Sequence, residues 1–462
     1  MLKVINPATE ELITELETDD SRSIIEKYNR AMSAQLEWME RPLDDRARIM
    51  TDFKNALTSE ADTLARTQSE ETGKPISQAR SEILATTARV QFFIDHFRDV
   101  LADDVAVEAA AAEDGRTGEH ITYEPLGVIA NISAWNYPYF VGSNVFVPAL
   151  LTGNAVLYKP SEFACLTGMS LAEVMYQAEL PDEIFIPIIG GAFAGQEMLK
   201  WPVQGVYFTG SFRTGRAIAD IVSRRFTRLQ LELGGKDPAY ICDDMDPAST
   251  AAAVADGAFY NTGQSCCAVE RVYVHEKIYD QFVEAFVETV RGFVVGDPLD
   301  EKTYIGPLSR KEQLTVLKQQ VEDARQKGAR ILLGGNTMNR RGYYFEPTVV
   351  ADANHEMTIM TEESFGPVIG IQRVSDDREA IRSMNDTRYG LTAGVFTNDP
   401  ERARKILTKI NSGTVYWNCC DRVSPRLPWS GRGDSGIGVT LGEEGIRSFV
   451  RPKAWHWRLP AS

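Results

Sequence analysis

Three short stretches carry residues that could do chemistry. Gly263-Gln264-Ser265-Cys266-Cys267 sets two adjacent thiols behind a glycine, between a helical run and a strand near Arg271. A free cysteine has a pKa near 8.5, so only a few per cent is nucleophilic thiolate at neutral pH unless a helix N-terminus or a cation assists. Glycine beside it lets the backbone approach a ligand closely; the alternative is a buried thiol acting as a small hydrophobe. Leu231-Glu232-Leu233 holds one carboxylate between large apolar residues at a strand end. Burial there raises the carboxyl pKa and suits it to general-base work, whereas on an edge strand the same glutamate would face water. Phe208-Thr209-Gly210-Ser211-Phe212-Arg213-Thr214-Gly215 runs from a strand through a glycine-bracketed turn into a helix. Such a turn presents backbone N–H groups that can seat a phosphate, although any strand-to-helix turn favours glycine.

The elements that must position these groups alternate. Apolar residues at three-to-four spacing predict helices over 21–38, 42–69 and 75–97. Residues 104–125 read as an excursion: a small-residue run, a glycine turn and a short extended piece at 120–123. Four strand–helix units follow, at 127–132 with 140–151, 155–158 with 167–178, 184–189 with 195–201, and 205–208 with 214–223. That alternation predicts a doubly wound parallel sheet of the dinucleotide-binding kind. After Gly234-Gly235 a second α/β series begins, with strands at 239–241, 271–275, 330–333, 368–373 and 393–396 and helices at 279–293 and 309–327. The last thirty residues are glycine-rich and then extended around Phe449, Val450, Ala454, Trp455 and His456, as a strand that leaves the body would be.

The chain has 462 residues, 49 Lys or Arg against 65 Asp or Glu, and a formal charge of −16. Its 43% hydrophobic and 25% charged residues are those of a globular protein, and at roughly 100–200 residues per domain the length predicts two to four domains. The acidic balance argues against nucleic-acid or anionic-membrane partners. No stretch approaches the ~20 apolar residues of a membrane span, and the first residues lack a secretion signal's pattern. Four of the six cysteines form the vicinal pairs Cys266-Cys267 and Cys419-Cys420, which predicts reduced thiols and a cytoplasmic protein. None of the five histidines stands at a zinc-ligand spacing from them, so no metal is expected.

Taken together, the motifs resemble those of the aldehyde dehydrogenase superfamily, over a span from Asn6-Pro7-Ala8-Thr9 to about Trp457. They are Trp135-Asn136-Tyr137-Pro138, Lys159-Pro160-Ser161-Glu162, Phe208-Thr209-Gly210-Ser211, Leu231-Glu232-Leu233-Gly234-Gly235-Lys236, Gly263-Gln264-Ser265-Cys266 and Glu362-Glu363-Ser364-Phe365-Gly366-Pro367, with Cys266 standing 34 residues after Glu232. The resemblance implies a Rossmann-like NAD-binding domain from residues 1–106 and 126–232, an α/β catalytic domain over 233–433, and a small β oligomerisation arm and tail from 107–125 and 434–462. It implies a homodimer or homotetramer whose arm adds a strand to a neighbouring subunit's sheet.

The resemblance also assigns roles. Cys266 is the nucleophile on the aldehyde carbon, with Cys267 a pocket-wall residue; Asn136 and the Cys266 N–H hold the oxyanion. Hydride passes to the nicotinamide, and Glu232 activates the water that hydrolyses the thioester. Glu363 binds the nicotinamide ribose and Phe365 packs near its ring. Lys159 and Glu162 grip the adenosine ribose, which favours NAD over NADP, with NADP the weaker second. Gly210 and Ser211 face the pyrophosphate and Trp135 the cofactor cleft. Tyr137, Asn144, Tyr260, Ser265, Val423 and Trp429 surround the aldehyde tunnel. Its aromatics could stack a quaternary ammonium, as betaine-aldehyde and aminoaldehyde enzymes do; an arginine from Arg422 or Arg426 reaching inwards would instead select a semialdehyde bearing a carboxylate, such as succinic semialdehyde. The alternative reading is that both arginines are solvated or bind the chain's own acids. Glu71-Thr72-Gly73-Lys74-Pro75 reads as a surface turn. Two other functions stand as alternatives: a coenzyme-A-acylating relative, which characteristically lacks the glutamate base, and an inert structural or binding member of the family.

Overall fold

A computed structural model describes residues 1–108 and 116–460. Its centre is a six-stranded sheet whose spatial order is Gly436–Ile437, Arg228–Glu232, Gly205–Thr209, Val128–Ile132, Ala155–Lys159 and Phe185–Pro187. All neighbours are parallel except the first pair. Val128–Ile132 is buried along its whole length, as a strand covered on both faces requires. The chain leaves this strand towards Phe185–Pro187 and returns to pair Gly205–Thr209 on its other side, which creates a topological switch point at the carboxyl ends of the two strands.

A second, seven-stranded sheet runs Arg330–Leu333, Thr348–Ala351, Val368–Val374, Val269–His275, Asp237–Ile241, Thr392–Phe396 and Thr414–Trp417. Only its first pair is antiparallel. Two apolar clusters flank this sheet, one around Phe259, Phe282 and Phe286, the other around Leu317, Met360 and Val395. A third sheet pairs Val450–Arg458 with Thr117–Pro125, and Thr117–Pro125 with Asp104–Val107, all antiparallel. Most of the small-residue run and part of the glycine turn expected over 104–125 lie outside the described residues.

Several expectations need correction. The single helix over 42–69 is two, Leu43–Ser59 and Ala61–Thr72, broken at Glu60. The turn there lets Phe53 and Leu57 of one helix and Leu64 and Ala65 of the next enter the same core. Strands Leu2–Ile5, Leu12–Leu16, Thr348–Ala351 and Thr414–Trp417 were not anticipated, being too short for a clear period. The extended tail does not leave the chain unpaired: Val450 to Arg458 lie opposite Pro125 to Thr117 of the same chain. Gly436–Ile437, expected with the arm, instead edges the six-stranded sheet beside Arg228–Glu232. The turn at Glu71 to Pro75 is no surface feature. Glu71 is buried and accepts from the Leu166 and Thr167 N–H groups, at 2.8 and 2.9 Å, at the start of the Cys165–Gln177 helix. Lys74 is buried in an ion pair with Glu82. Among the described residues no helix is long and apolar enough to cross a membrane.

Candidate active site

The cysteine pair is delivered by an unusual turn. After the Pro247–Phe259 helix, Asn261, Thr262 and Gly263 are all left-handed, with φ of 53°, 60° and 69°. That conformation costs a residue with a Cβ about 1–2 kcal/mol, and here anchors offset it. The Asn261 N–H donates to Gln78 Oε1 at 2.9 Å, and its side-chain amide donates to the Asn136 and Gln264 carbonyls at 3.1 Å each. The Ser309 N–H donates to Gln264 Oε1 at 3.0 Å. Gly263 is required twice over: its φ is positive, and a Cβ there would run into the Gly366 carbonyl.

Cys266, half-buried, opens into a cavity of about 630 Å³, the size of a small-molecule site. The Asn136 amide donates to the Gln264 carbonyl at 3.1 Å, two residues from this thiol. The Cys266 N–H meets no backbone carbonyl of the described residues. Cys267 differs: it is buried and donates to Asp421 Oδ1 at 3.0 Å, and Ser265 Oγ donates to the same oxygen at 3.2 Å. The neighbouring Cys266 sulfur and burial hold the Cys267 thiol well above the usual cysteine range. That keeps the Cys267 thiol protonated.

Tyr137, Asn144, Tyr260, Ser265, Val423 and Trp429 all line this cavity together with both cysteines. Arg422 lines it from an exposed position, and Arg426 is exposed away from it. One stripe of the long Ile76–Leu101 helix, unnoticed in the sequence, forms a whole wall through Ser81, Glu82, Ala85, Ala88 and Arg89. Their three-and-four spacing was the available signal. Glu82 accepts the Tyr139 and Phe140 N–H groups at 3.0 and 3.3 Å, and its partner Lys74 lies 3.8 Å from the Tyr137 ring centroid. These bonds fix the segment that carries Asn136 and Tyr137.

Glu232 ends its strand fully enclosed, not facing water. Burial pushes its carboxyl well above the ordinary range. Oε1 accepts from Gln230 Nε2 at 2.9 Å, and Oε2 has no partner among the described residues. The carboxyl is not itself in the cavity wall; Trp429, which is, flanks it together with Thr440.

The remaining motifs gather at the carboxyl ends of the six-stranded sheet. Ser211 caps the Phe212–Val222 helix through its hydroxyl, which accepts from the Thr214 N–H at 3.3 Å. A Cβ on Gly210 would strike the Phe208 ring, and the Gly210 N–H donates to the Glu232 carbonyl at 3.0 Å. Lys159 is buried, donates to the Pro160 carbonyl at 3.0 Å, and feels the charge of Glu162. Trp135 meets Phe365 edge to face, with centroids 5.5 Å apart, so the two motifs touch across the crevice. Glu363 is half-buried against Gly234 and Gly235 and accepts the Gly235 N–H at 3.1 Å. Burial, with Glu270's charge behind it, pushes its carboxyl up to about 8. Glu270 also escaped the sequence reading: it accepts the Ser364 and Phe365 N–H groups at 2.9 Å each and pairs with Lys236 at 2.5 Å. It thereby pins the loop on which Phe365 takes a left-handed φ of 48°. A helix N-terminus, a carboxylate beside open backbone and a paired aromatic wall, all at a switch point, fit a dinucleotide.

A model of the aldehyde dehydrogenase family matches residues 1–455. The chain is 32% identical over 450 residues to a succinate-semialdehyde dehydrogenase [NADP(+)] of Deinococcus radiodurans, covering 97% of this chain and 93% of that one. It is 34% identical to a betaine aldehyde dehydrogenase of Brucella anthropi, covering 97% and 92%. The crystal structure of PnpE in complex with nicotinamide adenine dinucleotide superposes with a TM-score of 0.95 at 30% identity, covering 100% of this chain and 94% of that one.

Proposed function

Since this chain belongs to the aldehyde dehydrogenase family, we propose that Cys266 is the nucleophile of a hydrolytic aldehyde oxidation in which Asn136 stabilises the oxyanion and Glu232 serves as base. The chain is an NAD(P)-dependent aldehyde dehydrogenase; the residue roles are our reading. The observation that carries it is that the Asn136 amide donates to the Gln264 carbonyl, on the loop that brings Cys266 to the cavity, while Cys267 is tied to Asp421.

Cys266 as thiolate adds to the aldehyde carbon. The second N–H of Asn136 and the unengaged Cys266 N–H then stabilise the oxygen that gains charge, each such donor being worth about 100- to 1000-fold in rate. A nicotinamide bound in the crevice would supply the acceptor for the hydride lost from the former aldehyde C–H bond, which leaves the substrate carbon as a thioester on Cys266. Glu232, turned from Gln230 towards the cavity beside Trp429, takes a proton from water as the water attacks that carbon, and the C–S bond then breaks to release the carboxylic acid and restore the Cys266 thiolate. Trp135 and Phe365 would wall the nicotinamide side, Glu363 would accept from its ribose, Gly210 and Ser211 would lie against the pyrophosphate, and Lys159 with Glu162 would hold the adenosine ribose. A carboxylate at Glu162 accepts ribose hydroxyls and repels a 2′-phosphate, so NAD is preferred over NADP. The domain division is read as in the sequence, save that Gly436–Ile437 serves the NAD-binding sheet. The exposed outer edge at Val450–Arg458 is the surface through which two or four copies assemble, in the cytoplasm.

The test is spectrophotometric: nicotinamide reduction followed across an aldehyde panel, with the product identified. Reduction with stoichiometric free acid is expected. Acyl-CoA without free acid would favour the acylating alternative, and a fully inert protein the structural one.

A further inference from the structure

On that reading of the cavity, we propose that its substrate is an aldehyde carrying a carboxylate at its far end, which the guanidinium of Arg89 binds. Arg89 is buried in the cavity wall, one fork nitrogen donating to Asn144 Oδ1 at 3.1 Å and another reaching towards the Val423 carbonyl at 3.5 Å. Both acceptors are uncharged, and no carboxylate of the described residues forms an ion pair with it. The guanidinium carbon sits 4.0 Å from the centroid of the Phe140 ring, which holds the fork flat. Arginine has five donors, so donors remain for a planar anion, and a buried guanidinium whose acidic neighbour Glu82 is already paired with Lys74 gains strongly from one. Ala85 and Ala88 on the same helix leave open space beside it.

The cavity's acids do not supply the opposite preference. Glu82 spends its oxygens on Lys74, Gln68 and the Tyr139 and Phe140 N–H groups. Asp421 takes Ser265 and Cys267, and Asp256 takes the Tyr304 hydroxyl. Glu82 is neutralised by Lys74 and Asp256 stands exposed, so a cationic substrate would face the buried Arg89 charge with only Asp421 among the enclosed acids to offset it. Of the two arginines singled out in the sequence, Arg422 lies at the exposed rim and Arg426 outside the lining, so the inward-reaching arginine comes from a helix more than 300 residues earlier in the chain.

The experiment compares kcat/KM for an ω-oxocarboxylate (4-oxobutanoate or 6-oxohexanoate), the uncharged aldehyde of equal length and an ω-trimethylammonio aldehyde, in wild type, Arg89→Met and Arg89→Lys. Wild type should prefer the carboxylate over its uncharged counterpart by at least about tenfold. Arg89→Met should erase that ratio, chiefly through KM, and Arg89→Lys should restore part of it. The exposed Arg426→Met should keep it. In wild type, succinate should compete with an uncharged aldehyde, which reads the subsite even if Arg89→Met does not fold. A wild-type preference for the uncharged or cationic aldehyde overturns the proposal, as does an Arg89→Met effect equal for all three, which would make Arg89 a strut between helices. Turnover of no aldehyde at all would defeat the proposed function itself; turnover without carboxylate preference defeats only this inference.

Discussion

At the cofactor crevice, residues lie near the ends of parallel strands and bond backbone groups there: Gly210 to the Glu232 carbonyl, the Ser211 hydroxyl to a helix N-terminus, the Glu363 carboxyl to the Gly235 N–H. The aldehyde cavity is walled by side chains from four distant segments, among them Arg89, Tyr137, Cys266 and Asp421. Backbone geometry at a strand end is reproduced by any sequence that forms the turn, so the crevice can be generic. A cavity made of side chains changes with each substitution, so it is where specificity can vary while chemistry stays fixed. Substitutions in the cavity should therefore act mainly on kcat or on the aldehyde KM, and those in the crevice on the cofactor KM.

The largest effect tests the cavity. Cys266→Ala should reduce turnover at least about 1000-fold with cofactor binding retained, while Cys267→Ala should lose less than about tenfold, because its thiol is held protonated against Asp421. Steady-state rates and cofactor titration check both; equal losses would break the distinction between the two thiols.

Next comes Glu232→Gln, expected to give one burst of NADH and then stall, with steady turnover down roughly 100- to 1000-fold. The pH dependence has a definite sign. A base acts when deprotonated, and burial raises this carboxyl well above its ordinary value. Thioester hydrolysis in wild type should therefore be slow in acid and climb as pH rises through that raised pKa. Rapid-quench kinetics across pH should show the limb in wild type and its loss in Glu232→Gln.

The crevice should respond more weakly. Glu363→Ala should raise the KM for NAD about tenfold, the loss of one good hydrogen-bond acceptor, with kcat far less affected. With this carboxyl at about 8, the wild-type KM for NAD should fall as pH rises through that value, because the ionised form accepts ribose hydroxyls better. Glu162→Gln, smallest of all, should improve NADP relative to NAD by about threefold to tenfold. A large kcat loss in either would erase the contrast between the two regions.

Much of the fold was legible because each strand–turn–helix unit is written within some twenty residues: the apolar runs over 127–132 and 205–208 coincide closely with Val128–Ile132 and Gly205–Thr209. Short or half-exposed strands such as Thr414–Trp417 were not legible, since four residues carry too little periodicity. Cys266, Glu232 and Asn136 stood out through their local motifs. Lys74 looked like part of a surface turn because nothing adjacent in the chain reveals that Glu82 and the Tyr137 ring enclose it.

The sequence by itself determined the alternation of elements, the glycine turns and the reactive residue types, all of which depend on backbone preferences over a few positions. Only the tertiary structure decided which of two neighbouring thiols is tied to Asp421, which carboxyls are raised by burial, and that Arg89 rather than Arg422 is the buried arginine of the cavity wall. Those outcomes depend on solvent exclusion and on partners hundreds of residues away, and both exist only once the chain has closed on itself.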